Sequence, residues 1–420
     1  MRWRGVQQLC AAPAAWRSRD RRERRMIGND QRPDRWLHGE AMPFWITTAR
    51  DRQHGGFFDR LSAEGRPYAD DQKTTLTQAR MLFSCAHARL HGGGVECREG
   101  AEAALTFLAD HLRDGADGGF HRAVGRDGDP AGPGANRIKD AYDHSFVLLG
   151  LAAWLRLGPS ASARSMLDET FDWFHRTLFD PSTGSYHEDD RITRPSEPYP
   201  LPRRQNPHMH LFEALLALYE ATGEPRWLEH SRRILDVFET HFYDTQTGSL
   251  REFLDRNLGE APPPAGHIRE PGHQFEWVWL LHRYAALSGD RHFDSHAASL
   301  YRFGWNHGTH RGGGLDGGVY DEIAPTGAPI SRSMLLWPQT EGIKAHLARA
   351  EFAGNRAGLA RARQLSTLMF RSHIAADRPI WRNQIDLEGK TLQADAPTRL
   401  LYHVAMAIIE GQRLGAWEPQ

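Results

Sequence analysis

Cysteine and lysine are scarce in this chain of 420 residues. There are three cysteines (Cys10, Cys85 and Cys97), and only four of the 52 basic side chains are lysine (Lys73, Lys139, Lys344 and Lys390). An odd number of thiols with no metal-ligand spacing argues against a disulfide framework and for a reducing compartment, expected to be the cytoplasm. No apolar run reaches 18 residues, which excludes a membrane-spanning helix. Charge of one sign is missing too: 52 basic and 53 acidic residues leave a formal net charge of −1. Neither nucleic acid nor an acidic membrane surface is therefore an expected partner. Serine-nucleophile motifs, CxxC pairs and phosphate-cradling glycine loops are absent. The glycines of GGGVECREG at 92–100 lack a strand before them and read as a helix-connecting turn.

What the chain does hold is 23 histidines and 13 tryptophans, residue types that suit a neutral ligand recognised by hydrogen bonds and stacking. Eight arginines stand among the first 25 residues against Asp20 and Glu23, a local charge of +6 that leaves −7 for the remainder. The apolar stretch from Leu9 to Trp16 is too short and broken for a secretory signal. Residues 1–33 are expected to be a basic leader outside the fold, and 34–420 a single catalytic domain.

Gly-aromatic turn segments recur along the chain: HGGFFDRLSAEGRP at 54–67, DGGFHRAVGRDGDP at 117–130, DPSTGSYHEDDRI at 180–192, DTQTGSLREFLDRN at 244–257, LDGGVYDEIAPTG at 315–327 and RPIWRNQIDLEGK at 378–390. Their spacing is regular: 63 residues from Gly56 to Gly119, then 65 to Gly184, 64 to Gly248, 70 to Gly318 and 63 to Trp381. The sixth lacks the glycine and aligns by its aromatic. Between the turns, apolar residues recur at i, i+3, i+4, the helical period. NPHMHLFEALLALYEAT stops at Gly223, and RWLEHSRRILDVFETHF follows Pro225, the expected asymmetry of helix ends. With a helix at 34–49 and another at about 395–414, twelve helices form six hairpins that close into an all-α (α/α)6 barrel. The first helix of each hairpin is the more apolar all round and should line the inner ring.

Each inner helix carries a polar cluster near its N-terminus: Lys73, Gln78 and Arg80; Asp140, Tyr142, Asp143 and His144; Asn206, His208, His210 and Glu213; Glu270, His273, Gln274 and Glu276; Trp337, Gln339, Glu341 and Lys344; Arg399, Tyr402 and His403. Inner helices of a toroid run parallel, so the six clusters should meet at one mouth. His210/Glu213 and His273/Glu276 are i,i+3 pairs in which the carboxylate can orient the imidazole. Two such pairs also resemble a carboxylate-bridged metal site, but a His/Glu set serves proton transfer equally well, and no metal is expected.

QAR at 78–80, DAYDHSFVLLGLA at 140–152, NPHMHLFEA at 206–214, EPGHQFEWVWLL at 270–281, WPQTEGIKA at 337–345 and APTRLLYH at 396–403 resemble the N-acylglucosamine 2-epimerase superfamily, over about residues 34–412. NPHMH and EPGHQFEWVWLL look most like its mannose isomerase branch. The resemblance implies a cofactor-free aldose-ketose isomerase acting on a free reducing monosaccharide, with mannose and fructose as the expected pair, as monomer or homodimer. By the same resemblance His273 and His403 match the general acid/base histidines, and Arg80, Asn206, His210, Glu276 and Trp337 match substrate-contacting or supporting positions. His208 falls where relatives vary and reads as structural.

Residue chemistry agrees. Moving a proton off C2 of an opened aldose needs a base near neutrality, which imidazole supplies. Donors such as Arg80 and a protonated histidine can hold the enediolate. Glu276 is expected to orient His273, and Trp337, Trp381 and Tyr142 to stack on the sugar. Glu213, Gln339 and Arg399 complete the expected substrate-binding set. Rival readings are a 2-epimerase of mannose, cellobiose or N-acetylmannosamine, a glycoside hydrolase using two of Asp143, Glu213, Glu276 and Glu341, and a binding protein on the same toroid. The Pro-rich segments 191–204 and 256–268 have no helical period and could cover the mouth or simply connect.

Overall fold

Twelve helices follow the expected hairpin order in a computed structural model that describes residues 32–68, 70–193 and 202–418. The expected leader lies almost wholly outside the described residues, as does the middle of the 191–204 segment. We number the helices α1 (33–48), α2 (Thr75–Leu90), α3 (95–112), α4 (Ala141–Leu157), α5 (Ala161–Leu178), α6 (Gln205–Thr222), α7 (226–242), α8 (Pro271–Ser288), α9 (Asp294–His307), α10 (Leu336–Ala353), α11 (Ala357–Ser372) and α12 (Leu401–Arg413, after a 3-10 turn Thr398–Leu400). The even-numbered helices form the inner ring, each packing on the next, and α12 packs on α2 to close it. Their burial follows their composition. In α4 the whole run from Asp143 to Trp154 is buried, whereas α7 buries one stripe, Trp227, Ser231, Ile234 and Leu235. Among the described residues no helix is long and apolar enough to cross a membrane, and Cys85 and Cys97 are buried free thiols.

The helix ends obey local rules. Asp140 caps α4 by accepting from the N–H groups of Tyr142 and Asp143 at 2.9 and 3.3 Å, satisfying donors that have no intrahelical partner. Gly223 ends α6 in the left-handed region, φ 70°, where a side chain would be strained.

The Gly-aromatic turns are short hairpins between each outer helix and the next inner one. Bridges pair Arg50 with Phe57, Arg113 with Phe120, Thr309 with Val319 and Ile374 with Trp381. Two-residue strands do the same at Phe179–Asp180 with Ser185–Tyr186, and at Tyr243–Asp244 with Ser249–Leu250. Trp381 therefore occupies the place of Phe57 and Phe120, as the sequence alignment of the sixth unit expects. Beyond each hairpin the chain pairs with the segment that leads into a neighbouring inner helix: 72–74 with 123–125, 140 with 189, 203–204 with 253–254, 269 with 323, 333–335 with 384–386, and 396–397 with 60–61. The last pairing joins the sixth unit to the first, so the rim closes as the helix ring does.

What fixes five of the six hairpins is the fourth residue of the next inner helix. Gln78, His144, His208, Gln274 and Gln339 accept the backbone N–H of Phe57, Phe120, Tyr186, Leu250 and Val319 at 2.8 to 2.9 Å. The three glutamines also donate back to the carbonyl of the same residue. Burial pushes His144 and His208 down to about 3 and about 4, so both stay neutral and can accept. A Cβ on Gly56 would lie 2.9 Å from Gln78 Oε1, and one on Gly119 2.9 Å from His144 Nε2; the glycine leaves room for the grip. In the sixth unit the glycine is absent, and Leu401 stands at the fourth position when α12 is counted from Thr398, where its 3-10 turn begins.

Gln339 is therefore a structural clamp, with Oε1 on Val319 N–H and Nε2 on the carbonyls of Val319 and Leu335, and this corrects its assignment to the sugar. Trp381 is corrected likewise: it is 1% exposed, stacks on Trp45 at 4.0 Å between centroids and donates to the Pro397 carbonyl, so its ring is spent inside the wall. Gln339→Leu should leave the Val319 amide buried without a partner and cost about 1–3 kcal/mol. Thermal unfolding with kinetics on the folded variant checks this; unchanged stability with lost turnover would return Gln339 to the site.

Candidate active site

Residues from the N-terminal halves of all six inner helices meet across the ring. Arg80 Nη2 donates to Tyr142 Oη at 2.7 Å, linking α2 to α4, and its guanidinium lies 4.1 Å from the Phe146 ring centre and 4.9 Å from that of Tyr402. Tyr402 Oη, on α12, donates to both oxygens of Glu213 on α6 at 2.5 and 2.6 Å. Glu213 in turn holds His210 Nδ1 at 3.0 Å, as the i,i+3 spacing anticipates. On the other side His403 Nδ1 lies 2.8 Å from Glu341 Oε1, joining α12 to α10, and Lys344 Nζ approaches Glu341 Oε2 at 2.6 Å and Glu276 Oε1 at 3.9 Å, joining α10 to α8. Contacts among N-terminal halves alone require the inner helices to run parallel.

Helix position sorts the side chains. At 100° per residue, the fourth and sixth positions point about 200° apart, so a fourth residue that grips a turn leaves the sixth facing the axis. Sixth positions hold Arg80, Phe146, His210, Glu276, Glu341 and His403. Tyr142, Asn206, Trp337 and Arg399 share the second position, nearer the mouth. The Trp337 ring lies between the two expected acid/base residues, 4.8 Å from the His273 ring and 5.8 Å from that of His403. Arg399 is exposed, and makes no hydrogen bond or ion pair among the described residues; desolvation and the like charge of Arg80 pull its guanidinium down from the ordinary value. Lys73 and His144, counted in the sequence clusters, face the turns instead: Lys73 Nζ meets Asp51 and the carbonyls of Gly55 and Arg126.

Glu276 does not orient His273. The residue that does is Glu252, whose Oε2 is 2.7 Å from His273 Nδ1, with Glu270 Oε2 at 3.3 Å. Glu252 lies two residues past Leu250, in the bend that leaves the fourth turn. Asp59, Arg122, Glu188, Glu252, Asp321 and Asn383 each stand in a bend two residues past the equivalent turn residue and so occupy equivalent places. Repeat alignment of the turns was the signal that could reveal it. Glu276 has both carboxylate oxygens buried without a hydrogen bond, as has Asn206 Oδ1; these are acceptors available to sugar hydroxyls.

The two histidines carry opposite charge. Burial disfavours the His273 cation, but Glu252 and Glu270 outweigh it and hold the ring up to about 10. His403 is held well below its ordinary value by burial, by Arg80 and by Lys344. Burial also pushes His210 down to about 4 and Glu276 well up, the latter with help from Glu341. At neutrality the site thus offers one imidazolium donor and one neutral imidazole, the two states that general acid and general base need.

Three sets of ligand atoms lie within 4.8 Å of one another and could be offered to a metal: His210, Glu213 and Glu276; Glu252, Glu270 and His273; Glu276, Glu341 and His403. The second is neutralised by the His273 proton and the third by the Lys344 ammonium. In the first, Glu213 is saturated by His210 and Tyr402. We assign no metal ligand. A separate half-open cleft of about 420 Å³, lined by Arg50, Glu102, Phe107 and His111, lies on the outer wall and shares none of these groups.

A family model described as N-acylglucosamine 2-epimerase (GlcNAc 2-epimerase) matches residues 56–407. A mannose-6-phosphate isomerase of Rhizobium meliloti (strain 1021) is 31% identical over 382 residues, covering 89% of this chain and 94% of the relative. A D-mannose isomerase of Thermobifida fusca is 30% identical over 347 residues, 77% and 79% of the two chains. Among solved structures, the cellobiose 2-epimerase from Bacillus thermoamylovorans B4167 superposes with a TM-score of 0.81 at 18% identity, covering 91% of this chain and 98% of that one, and shares the fold.

Glu252→Gln removes the nearer of the two carboxylates that keep His273 charged. If the His273 proton is needed for turnover, activity falls as pH rises through its pKa, near 10 in the native chain, and the variant should lose activity at lower pH while its acid limb stays in place. A pH profile of kcat/KM checks this, and a basic limb that does not move would remove Glu252 from the site.

Proposed function

We propose that this chain, which belongs to the N-acylglucosamine 2-epimerase family, interconverts D-mannose and D-fructose as free sugars. Membership establishes a sugar isomerase or epimerase; the finer reading rests on the asymmetry of the two histidines. In the opened aldose, His403 Nε2 takes the C2 proton. The carbonyl oxygen O1 gains negative charge, which protonated His273 and Arg80 are placed to receive. The same His403 returns the proton to C1 on the same face of the cis-enediolate; His273 gives its proton to O1 and takes the proton of the O2 hydroxyl in its place, leaving a hydroxyl at C1 and a ketone at C2. Glu276 and Asn206 accept from sugar hydroxyls, and Trp337 carries the ring between the histidines.

Two-base epimerisation ends with the proton on the other histidine, so the two rings must trade states at comparable free energy. Here two carboxylates flank His273, whereas the single carboxylate on His403 is itself matched by Lys344. Every pKa unit between two such groups is about 1.4 kcal/mol against the trade. One base working on one face avoids it. This difference in carboxylates is the observation that favours isomerisation over 2-epimerisation. Hydrolysis is disfavoured because Glu213 and Glu341 are committed to His210, Tyr402, His403 and Lys344, and Asp143 faces Arg122 at 3.7 Å, leaving Glu276 without a free partner among the four carboxylates.

Proton NMR of the chain with mannose in deuterated water should show fructose deuterated at C1. Glucose without fructose would replace isomerisation by epimerisation. His403→Ala and His273→Ala should each lower turnover by at least about 100-fold with the fold intact by circular dichroism; near-normal turnover in either would sink the assignment.

One observation favours a second reading. Arg399 is an exposed cation at the mouth that makes no ion pair among the described residues, and the Rhizobium relative bears the name of a phosphosugar isomerase. A 6-phosphate would supply the missing charge. If the free sugar is the substrate, Arg399→Gln should change kcat/KM for mannose by less than about tenfold, and mannose 6-phosphate should not be preferred. A large preference for the phosphate that vanishes in Arg399→Gln would establish the second reading instead.

A further inference from the structure

The chemistry above leaves one buried charge beside the base without a task. Lys344 is fully buried at the ninth position of α10. Its ammonium lies 2.6 Å from Glu341 Oε2, 3.9 Å from Glu276 Oε1 and 4.5 Å from the Trp279 ring centre, and Glu213 is the third carboxylate whose charge acts on it. The other oxygen of Glu341 faces His403 Nδ1. A chain therefore runs from Lys344 through Glu341 to the imidazole.

We propose that Lys344 is a positioning residue for proton transfer: by holding Glu341 as a carboxylate, it fixes His403 in the tautomer with hydrogen on Nδ1 and the lone pair on Nε2. The proposal rests on the reading of His403 as the base. A neutral imidazole bonded to an acceptor through Nδ1 must carry its proton there. Were Glu341 protonated, it would donate to Nδ1, the His403 proton would move to Nε2, and no lone pair would face C2. Burial alone pushes Glu341 toward that neutral form, since an isolated carboxylate is costly away from water. The ammonium at 2.6 Å opposes that push, and a protonated Glu341 would strand that cation.

The remaining charges do not substitute for it. His403 is faced by Arg80, His210, Glu213, Glu276 and Glu341 besides Lys344. Arg80 points to Tyr142 and the Phe146 ring, His210 is neutral, and Glu213 is taken by His210 and Tyr402. Among the described residues Glu276 is the only other carboxyl within ion-pair distance of the Lys344 ammonium, at 3.9 Å against 2.6 Å for Glu341, and burial and Glu341 push its pKa well up. The Lys344 cation also lowers the His403 pKa directly, so its loss should raise the pH at which the base becomes free.

The test is a double-mutant cycle over Lys344→Met and Glu341→Gln, read with the sugar that the native chain turns over, alongside nitrogen-15 NMR of the histidine rings. Lys344→Met should lower kcat about 10- to 100-fold with KM within about threefold, and move the acid limb of kcat/KM to higher pH. In the Glu341→Gln background the same substitution should change kcat less than about twofold, because its route to His403 is already cut. Ring nitrogen shifts should place the His403 proton on Nδ1 in the native chain. Equal losses in both backgrounds, an unmoved limb, or an Nε2 proton in the native chain would each overturn the proposal. If Lys344→Met does not fold, the native tautomer decides alone. Should His403→Ala keep its turnover while the native ring shows the Nδ1 proton, the reading of His403 as base fails and the coupling of Lys344 to His403 stands.

Discussion

The hydrogen bond that a buried glutamine or histidine accepts from the turn N–H in five of the six units sets where the rest of the mouth can be. A turn between an outer and an inner helix must return a buried backbone amide to some acceptor, and an unsatisfied one costs about 1–3 kcal/mol. Five times the chain answers with the fourth residue of the next inner helix. Once the turn is held there, the segment that leaves it is set in place along the rim, where it pairs with the segment before a neighbouring inner helix. Glu252 reaches His273 only because Leu250 is clamped by Gln274. A structural bond on one face of α8 thereby places the carboxylate that charges an imidazole on another.

Charge in the middle of the barrel is arranged by the same economy of position. Water is largely excluded from His273, His403, Glu276 and Glu341, each at most 5% exposed, so each ionised group must be met by another at close range. Histidine alone would be neutral in such a place, as His144, His208 and His210 are. Two carboxylates on Nδ1 make His273 the exception. His403 also meets a carboxylate, but one whose charge is shared with Lys344, and Arg80 opposes a second cation beside it. Two imidazoles of identical chemistry are driven apart by what stands behind them rather than by what faces the sugar.

Much of this was legible in the sequence, and the errors have a common cause. The period of 63 to 70 residues specified the number of hairpins and the closure of the ring, because turn glycines and helical periodicity are local properties. Polar clusters marked the right end of each inner helix. What periodicity did not separate was the face: Gln339 and Glu341 stand two residues apart in WPQTEG, and only the position of the helix start says which one grips Val319 and which meets His403. Glu252 escaped for a related reason. It belongs to a turn and not to a helix cluster, and its contact with His273 depends on strand register, which one segment read alone does not contain. The i,i+3 rule found His210 with Glu213 correctly, yet misled for His273, where a nearer carboxylate comes from across the rim.

The scarcity of lysine takes on meaning in this setting. Of four lysines, Lys73, Lys139 and Lys344 are buried, each against a carboxylate: Asp51 at 3.0 Å, Asp114 at 2.8 Å and Glu341 at 2.6 Å. The first two belong to a device that recurs around the ring, in which the aspartate opening a turn accepts its backbone N–H groups and meets a basic side chain from the segment before the next inner helix. Arginine does the same work in the third and fourth units, Arg203 on Asp180 at 2.6 Å and Arg269 on Asp244 at 3.1 Å. At the rim, then, the two cations are interchangeable because there is room for either. Lys344 has no counterpart of that kind. It lies inside the ring beneath the Trp279 face, where a compact ammonium can meet Glu341 and Glu276 together, whereas a planar guanidinium would favour one carboxylate in a paired geometry. A chain that otherwise chooses arginine keeps lysine where a point charge between carboxylates governs the base.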